Sequence, residues 1–355
     1  MTAHGPALIL SGTVISDSAA CPDAVVAVLD DRIVYAGPRS GFDASALPDA
    51  EEMELPAGSS ILPGLVDLHC HGAAGGDFPA GDDGGSRAAV DFLHRSGTTT
   101  LLASLVTASP EDLLRGVRTL RRLADEALIA GIHSEGPFLS HARCGAQNAD
   151  WLRDPDPELL GLLLQEAGGW LKTMTYAPEL PGADELVRLL IGNGVTPSLG
   201  HTDADASVAA ASLEAAAAGL ALWERERAAR PTVTHLFNGM PPMHHRKPGP
   251  LASCLRLAGA GTVAVEPGVG LALQETPDRF GYVDARAAEK VVHLYLLAVS
   301  IPRPVRPDAR GTVTPAALAA TANGGGTGRG NSSRALSEPV LNGAWRGRGP
   351  CMRLD

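Results

Sequence analysis

The chain has 355 residues, of which 45% are hydrophobic and 19% charged, with a formal net charge of -11. That length suits a barrel of about 250 residues with an accessory domain, and the composition suits a globular protein with a large core. The acidic balance argues against a nucleic-acid partner, whose phosphates need a concentrated basic surface, but a small anionic substrate can still be gripped by local cations.

In chain order, Ala7 to Ile15 and Ala24 to Tyr35 are rich in β-formers, and Asp30-Asp31 breaks the second run as a hairpin turn would. Residues 1–58 therefore read as the N-terminal part of a small β-sandwich-like domain. From Ile61 onward short β-rich runs alternate with helical stretches. The runs are Leu65 to Leu68, Thr98 to Val106, Ile129 to Glu135, Leu171 to Ala177, Val195 to Leu199, Val233 to Phe237 and Thr262 to Val265. Helical stretches between them include Pro110 to Ala130 and Ala204 to Ala221. Repeated strand-then-helix order predicts a parallel sheet with right-handed crossovers. So many units predict closure into a (β/α)8 TIM-like barrel over residues 59–300. An open doubly wound sheet is the alternative, and the GxGxxG expected after its first strand is missing.

Beyond Glu266 the pattern changes. Pro302-Arg303-Pro304 and Gly324-Gly325-Gly326 are loop-like, and only Lys290 to Ser300 resembles a packed element. The barrel is expected to be incomplete after residue 266, with residues 301–355 forming an atypical, disordered tail. A shifted reading frame or a replaced C-terminus accounts for the change, and translating the other two frames downstream of the Glu266 codon tests this.

Four β-runs end in a histidine or an acid. His69 and His71 follow Leu65 to Leu68, and residues two apart in a strand point to one face. Glu135 leaves its run directly into Gly136-Pro137, while His201 and His235 end two later runs. Barrel active sites sit at the C-terminal ends of the strands, and imidazoles with a carboxylate form a ligand set for Zn²⁺, or for Fe²⁺, Mn²⁺ or Co²⁺. Arg246, in Met243-His244-His245-Arg246-Lys247, adds a donor for a phosphate or carboxylate.

The scattered and odd-numbered cysteines (Cys21, Cys70, Cys144, Cys254 and Cys351) form no CxxC pair and no disulfide framework. A cytoplasmic setting is expected. No secretory signal is visible in residues 1–20, and each apolar stretch is shorter than the roughly 18 residues of a membrane span, so no membrane partner is expected.

Leu62-Pro63-Gly64-Leu65-Val66-Asp67-Leu68-His69-Cys70-His71-Gly72, Glu135-Gly136-Pro137-Phe138, Gly200-His201-Thr202-Asp203-Ala204 and the segment from Thr234 to Gly249 resemble N-acetylglucosamine-6-phosphate deacetylases of the metal-dependent amidohydrolase superfamily. The motifs occur in the family's order over roughly residues 1 to 265. The resemblance implies hydrolysis of N-acetyl-D-glucosamine 6-phosphate to D-glucosamine 6-phosphate and acetate in amino-sugar catabolism, by a homodimer. It implies Glu135, His201 and His235 as principal metal ligands, and His69 with His71 as ligands of a second ion, giving one or two ions. It also implies substrate contacts at Ala146, Gln147, Asn238 and Gly239, with Arg246 on the sugar phosphate.

Two departures stand out. Gln147 occupies a place where many members carry histidine. The family's Asp-Gly-x-His and Val-Thr-Asp-Ala-like motifs, the second of which supplies the catalytic base, are absent. The nearest candidate for the base is Asp284, in Tyr282-Val283-Asp284-Ala285. Two alternatives to the deacetylase reading therefore stand. One is a catalytically impaired metal- or sugar-phosphate-binding remnant with an altered C-terminus. The other is a different amidohydrolase, acting on a cyclic amide or deaminating a base.

Overall fold

The computed structural model describes residues 7–16, 20–55, 58–223 and 230–267. Asp284, the Lys290 to Ser300 element and the expected tail at 301–355 lie outside the described residues. The chain divides into two compact units at Gly64 and Leu65.

In the first unit β1 (Ala7–Ile15), β2 (Ala20–Leu29) and β3 (Arg32–Pro38) form an antiparallel meander, with the expected turn at Asp30-Asp31. β4 (Glu51–Glu54) and β5 (Ser60–Ile61) add to β1 in parallel. Ile9, Val25 and Ala27 form a small core, with Tyr35, Phe42 and Leu47 packed against it.

The second unit begins with β6 (Leu65–Cys70), the short hairpin β7 (Gly72–Ala73) and β8 (Gly76–Asp77), α1 (Asp83–Arg95) and β9 (Thr98–Leu105). It continues through α2 (Pro110–Asp125), β10 (Gly131–Glu135), α3 (Pro157–Ala167), β11 (Leu171–Tyr176) and α4 (Ala183–Gly192). Last come β12 (Thr196–Leu199), α5 (Ala206–Trp223), β13 (Thr232–Leu236), α6 (Gly249–Gly259) and β14 (Ala264–Pro267). One parallel sheet runs β14-β13-β12-β11-β10-β9-β6. This is the (β/α)8 architecture, of which the described residues supply seven strands.

The helices start where the sequence supplies caps. Ser109 accepts a bond from the Asp112 N–H at the start of α2, with Pro110 in the first turn. Asp156 accepts from the Glu158 and Leu159 N–H groups at the start of α3, and α3 ends on Gly168 at φ 57°. Each helix buries one stripe against the sheet. In α2 that stripe is Leu113, Val117, Leu120 and Ala124, and β10 is buried along its whole length, as a strand between a barrel interior and a helical layer must be. Among the described residues no helix is long and apolar enough to cross a membrane.

Candidate metal centre

The C-terminal ends of β6, β10, β12 and β13 carry His69, His71, Glu135, His201 and His235 to one place. Glu135 is the hub, and its side chain is almost wholly buried. Its Oε1 lies 2.9 Å from His201 Nε2 and 2.7 Å from His235 Nε2. Its Oε2 lies 3.1 Å from His71 Nε2 and 3.4 Å from His69 Nε2. Two groups of three result, His69-His71-Glu135 and Glu135-His201-His235, each with ligand atoms within 4.8 Å of one another.

The backbone is bent to achieve this. His201 has φ 46° and His235 φ 27°, a region that costs a residue with a Cβ on the order of 1–3 kcal/mol. Each bend falls at the ligand itself and turns the imidazole inward. Gly239 (φ 59°) then passes so close that a Cβ there would sit 2.9 Å from His201 Nδ1. Its carbonyl accepts from Thr202 N–H at 3.0 Å, which ties the two loops together.

The outer nitrogens are held as well. His71 Nδ1 donates to the Ser104 carbonyl (3.2 Å) and His201 Nδ1 to the Arg143 carbonyl (2.7 Å). Both rings therefore present the Nε2 lone pair inward. His69 Nδ1 faces Glu266 Oε2 at 3.3 Å. Among the described residues His235 Nδ1 has no hydrogen-bond partner although it is buried.

Burial alone would raise the Glu135 pKa, but the four imidazoles outweigh it and hold the carboxyl well below its usual range. Burial opposes charge on His69 too, yet the Glu135 and Glu266 carboxylates push its pKa up to about 10. His201 Nε2 and His235 Nε2 are 3.0 Å apart, as are the Nε2 atoms of His69 and His71. Nitrogen lone pairs this close, around a shared carboxylate, repel unless a proton or a cation sits among them. The donor set fits a divalent cation.

A buried polar chain adjoins the cluster. Cys70 N–H donates to Ser104 Oγ (3.0 Å), which contacts His133 Nδ1 (3.0 Å). His133 Nε2 meets Thr175 Oγ1 (2.8 Å), Thr175 meets Thr234 (2.8 Å), and Thr234 meets Ser198 (2.6 Å). Burial holds the His133 pKa well below its usual value, so the ring is neutral. The tautomer of the neutral His133 ring sets the direction in which the hydroxyls of Ser104, Thr175, Thr234 and Ser198 donate.

Sequence reading missed Ser104, His133, Thr107 and Glu266. His133 was legible, because it lies two residues before Glu135 on the same strand face. Glu266 was too, because it leaves its β-run into Pro267-Gly268 much as Glu135 leaves into Gly136-Pro137.

The remaining sequence-predicted residues surround the cluster unevenly. Gln147 accepts from Thr107 N–H through Oε1 (2.8 Å) and donates to Glu135 Oε2 through Nε2 (2.8 Å). It thus touches the hub directly. Ala146 is exposed and Asn238 half-buried, with Asn238 N–H donating to the His235 carbonyl at 2.9 Å. Arg246 is exposed, and its guanidinium forms no ion pair among the described residues.

Residues 60–229 match the Amidohydrolase family. The chain is 36% identical over 234 residues to N-acetylglucosamine-6-phosphate deacetylase of Bacillus subtilis (strain 168), covering 62% of this chain and 54% of that protein. It is 33% identical over 208 residues to the Homo sapiens enzyme of the same name, covering 56% and 48%. Among solved structures, N-acetyl-D-glucosamine-6-phosphate deacetylase of Mycobacterium smegmatis, in complex with N-acetyl-D-glucosamine-6-phosphate, matches with a TM-score of 0.63 and 38% identity. That match covers 74% of this chain and 63% of the other. The chain thus spans about half the length of the curated relatives it matches.

Proposed function

We propose, from the match of residues 60–229 to the Amidohydrolase family, that this protein hydrolyses N-acetyl-D-glucosamine 6-phosphate to D-glucosamine 6-phosphate and acetate. The observation that supports it is Glu135 lying between two imidazole pairs, one on each carboxylate oxygen, at the ends of parallel strands. Glu135, His201 and His235 hold one divalent ion and His69, His71 and Glu135 a second, zinc in our reading, with iron, manganese and cobalt as alternatives.

Such an ion supplies Lewis acidity to a water and to the acetyl carbonyl. The chain's own residues do the rest. Gln147 locks the Glu135 carboxylate plane by donating to Oε2. Asn238 and Gly239, three and four residues after His235, and Ala146 beside Gln147 contact the sugar. The exposed Arg246 guanidinium takes the phosphate, which an arginine fork suits. In this reading the protein works in the cytoplasm, as its scattered cysteines suggest, and as a homodimer, which the resemblance implies.

A second reading, ion and sugar-phosphate binding with impaired turnover, is favoured by one observation. Among the described residues, the carboxylates hydrogen-bonded to the cluster's imidazoles are Glu135 and Glu266. Glu135 contacts four imidazoles and Glu266 contacts His69, so neither is at liberty to shuttle a proton. The base then comes from beyond Pro267, with Asp284 the candidate. Acetate release by the full-length chain, chelated and then reloaded with Zn²⁺, decides between the readings. Metal-dependent release that Asp284→Asn abolishes supports the first with Asp284 as base, and release that survives Asp284→Asn removes that residue. Ion binding without release supports the second, and absence of both overturns the metal centre.

A further inference from the structure

His69 is gripped on both nitrogens. Its Nε2 faces Glu135 Oε2 (3.4 Å) and His71 Nε2 (3.0 Å), the inner side of the cluster. Its Nδ1 faces Glu266 Oε2 (3.3 Å), the outer side. Glu266 belongs to neither of the two ligand groups and touches the opposite edge of the ring from the one an ion would use.

The outer partners differ in charge. His71 and His201 rest on the neutral backbone carbonyls of Ser104 and Arg143. His69 rests on a carboxylate, itself largely buried, with 12% of its side chain exposed. A carboxylate behind an imidazole fixes the Nδ1–H tautomer, orients the ring and makes Nε2 a stronger donor. A backbone carbonyl also fixes the tautomer but adds no net negative charge.

The contact spans the sheet as well. Glu266 sits on β14 and His69 on β6, the two outermost strands in the order of the described sheet, 197 residues apart in sequence. It therefore fixes the ring from a strand other than the histidine's own.

We infer that Glu266 is a positioning residue for His69, and that it sets the affinity of the His69-His71-Glu135 half-site for its ion while leaving the Glu135-His201-His235 half-site unaffected. The inference rests on the metal-centre reading above and adds to it which of the two ions is held the more conditionally.

The test measures Co²⁺ binding to chelated full-length protein, by stoichiometry, by titration calorimetry and by the visible absorption of the bound ion. The variants are Glu266→Gln, Glu266→Asp, His69→Asn and the Glu266→Gln/His69→Asn double variant. The amide of Glu266→Gln is nearly isosteric and can still accept the Nδ1 proton, so a merely steric role predicts no change. Loss of the charge is expected to weaken one of two sites about 10–100-fold, the range for partners behind a ligating histidine. The other site should stay within about twofold, with a change in the cobalt spectrum confined to the weakened step. Glu266→Asp should recover part of the loss. In the His69→Asn background Glu266→Gln should have no further effect on cobalt affinity.

Three results overturn the inference and leave the metal centre standing. They are two unchanged affinities in Glu266→Gln, an equal fall in both, or a Glu266→Gln penalty that persists without His69. A wild-type chain that binds no cobalt overturns both readings together. Thermal melts of the chelated variants separate a folding defect from a binding one, and a Glu266→Gln melt matching wild type keeps the comparison decisive.

Discussion

Replacing Glu135 with glutamine tests whether that residue is the hub of an ion centre. Gln147 Nε2 donates to Glu135 Oε2 at 2.8 Å, so the new amide turns its oxygen toward Gln147. Its NH2 group then points at His201 Nε2 and His235 Nε2, which lie 2.9 and 2.7 Å from the present Oε1. Two N–H bonds would occupy the direction from which a cation is held, and the centre would lose a negative charge. Four-ligand structural zinc binds with about 10–16 kcal/mol, so one ligand is worth about 3 kcal/mol, or about a hundredfold in Kd. With the ion at about 100 times the wild-type Kd, wild type gains about 2.7 kcal/mol and its melting temperature rises by about 5–10 °C. The variant, at a concentration near its own Kd, gains only about 0.4 kcal/mol, a rise of about 1 °C. Differential scanning calorimetry with and without Zn²⁺ reads both shifts. A variant whose ion-induced shift equals that of wild type would refute the hub.

Three further outcomes are expected. Arg246→Ala should raise KM for the phosphorylated sugar by about 10–100-fold, the range for a lost charged hydrogen bond, with KM for the unphosphorylated sugar unmoved; steady-state kinetics on both substrates checks it. Gln147→Leu strands the Thr107 N–H and releases Glu135 Oε2, so urea melts of the chelated protein should show a loss of about 1–3 kcal/mol. Ion uptake should release a proton at pH 7. The His69 pKa of about 10 in the ion-free protein means the ring is charged there, and a ligating nitrogen must give that proton up. Apparent affinity should therefore weaken as pH falls from about 10, and calorimetry in two buffers of different ionisation enthalpy should count the proton.

The strands were the most legible part of the chain. Runs such as Leu171 to Ala177 are short and carry β-formers such as Thr173, Thr175 and Tyr176, and β11 (Leu171–Tyr176) follows that run to within a residue. The helices were less so. α1 opens on Asp83-Gly84-Gly85, whose glycines argue against a helix, yet Asp82 caps it by accepting from Gly85 N–H at 2.6 Å. The convergence of His201, His235 and Glu135 was foreseeable from strand ends alone, because a closed parallel sheet puts those ends on one rim. The bond from Gln147 to Glu135 was not, because it depends on the path of the loop between β10 and α3, and no periodicity encodes that path. Glu266 is a different case, since it carries the same signal that marked Glu135, an acid at a strand exit.

The bends at His201 and His235 have a consequence for how such a site can diversify. Because the chain turns away from the sheet at the ligands, the loop that follows each of them lies outside strand register. An exposed stretch such as Met243 to Lys247 could be lengthened, shortened or exchanged without disturbing the pairing of β12 and β13. The histidine becomes the boundary between a hydrogen-bonded scaffold and a replaceable recognition surface, so new substrates can be accommodated while the chemistry stays anchored.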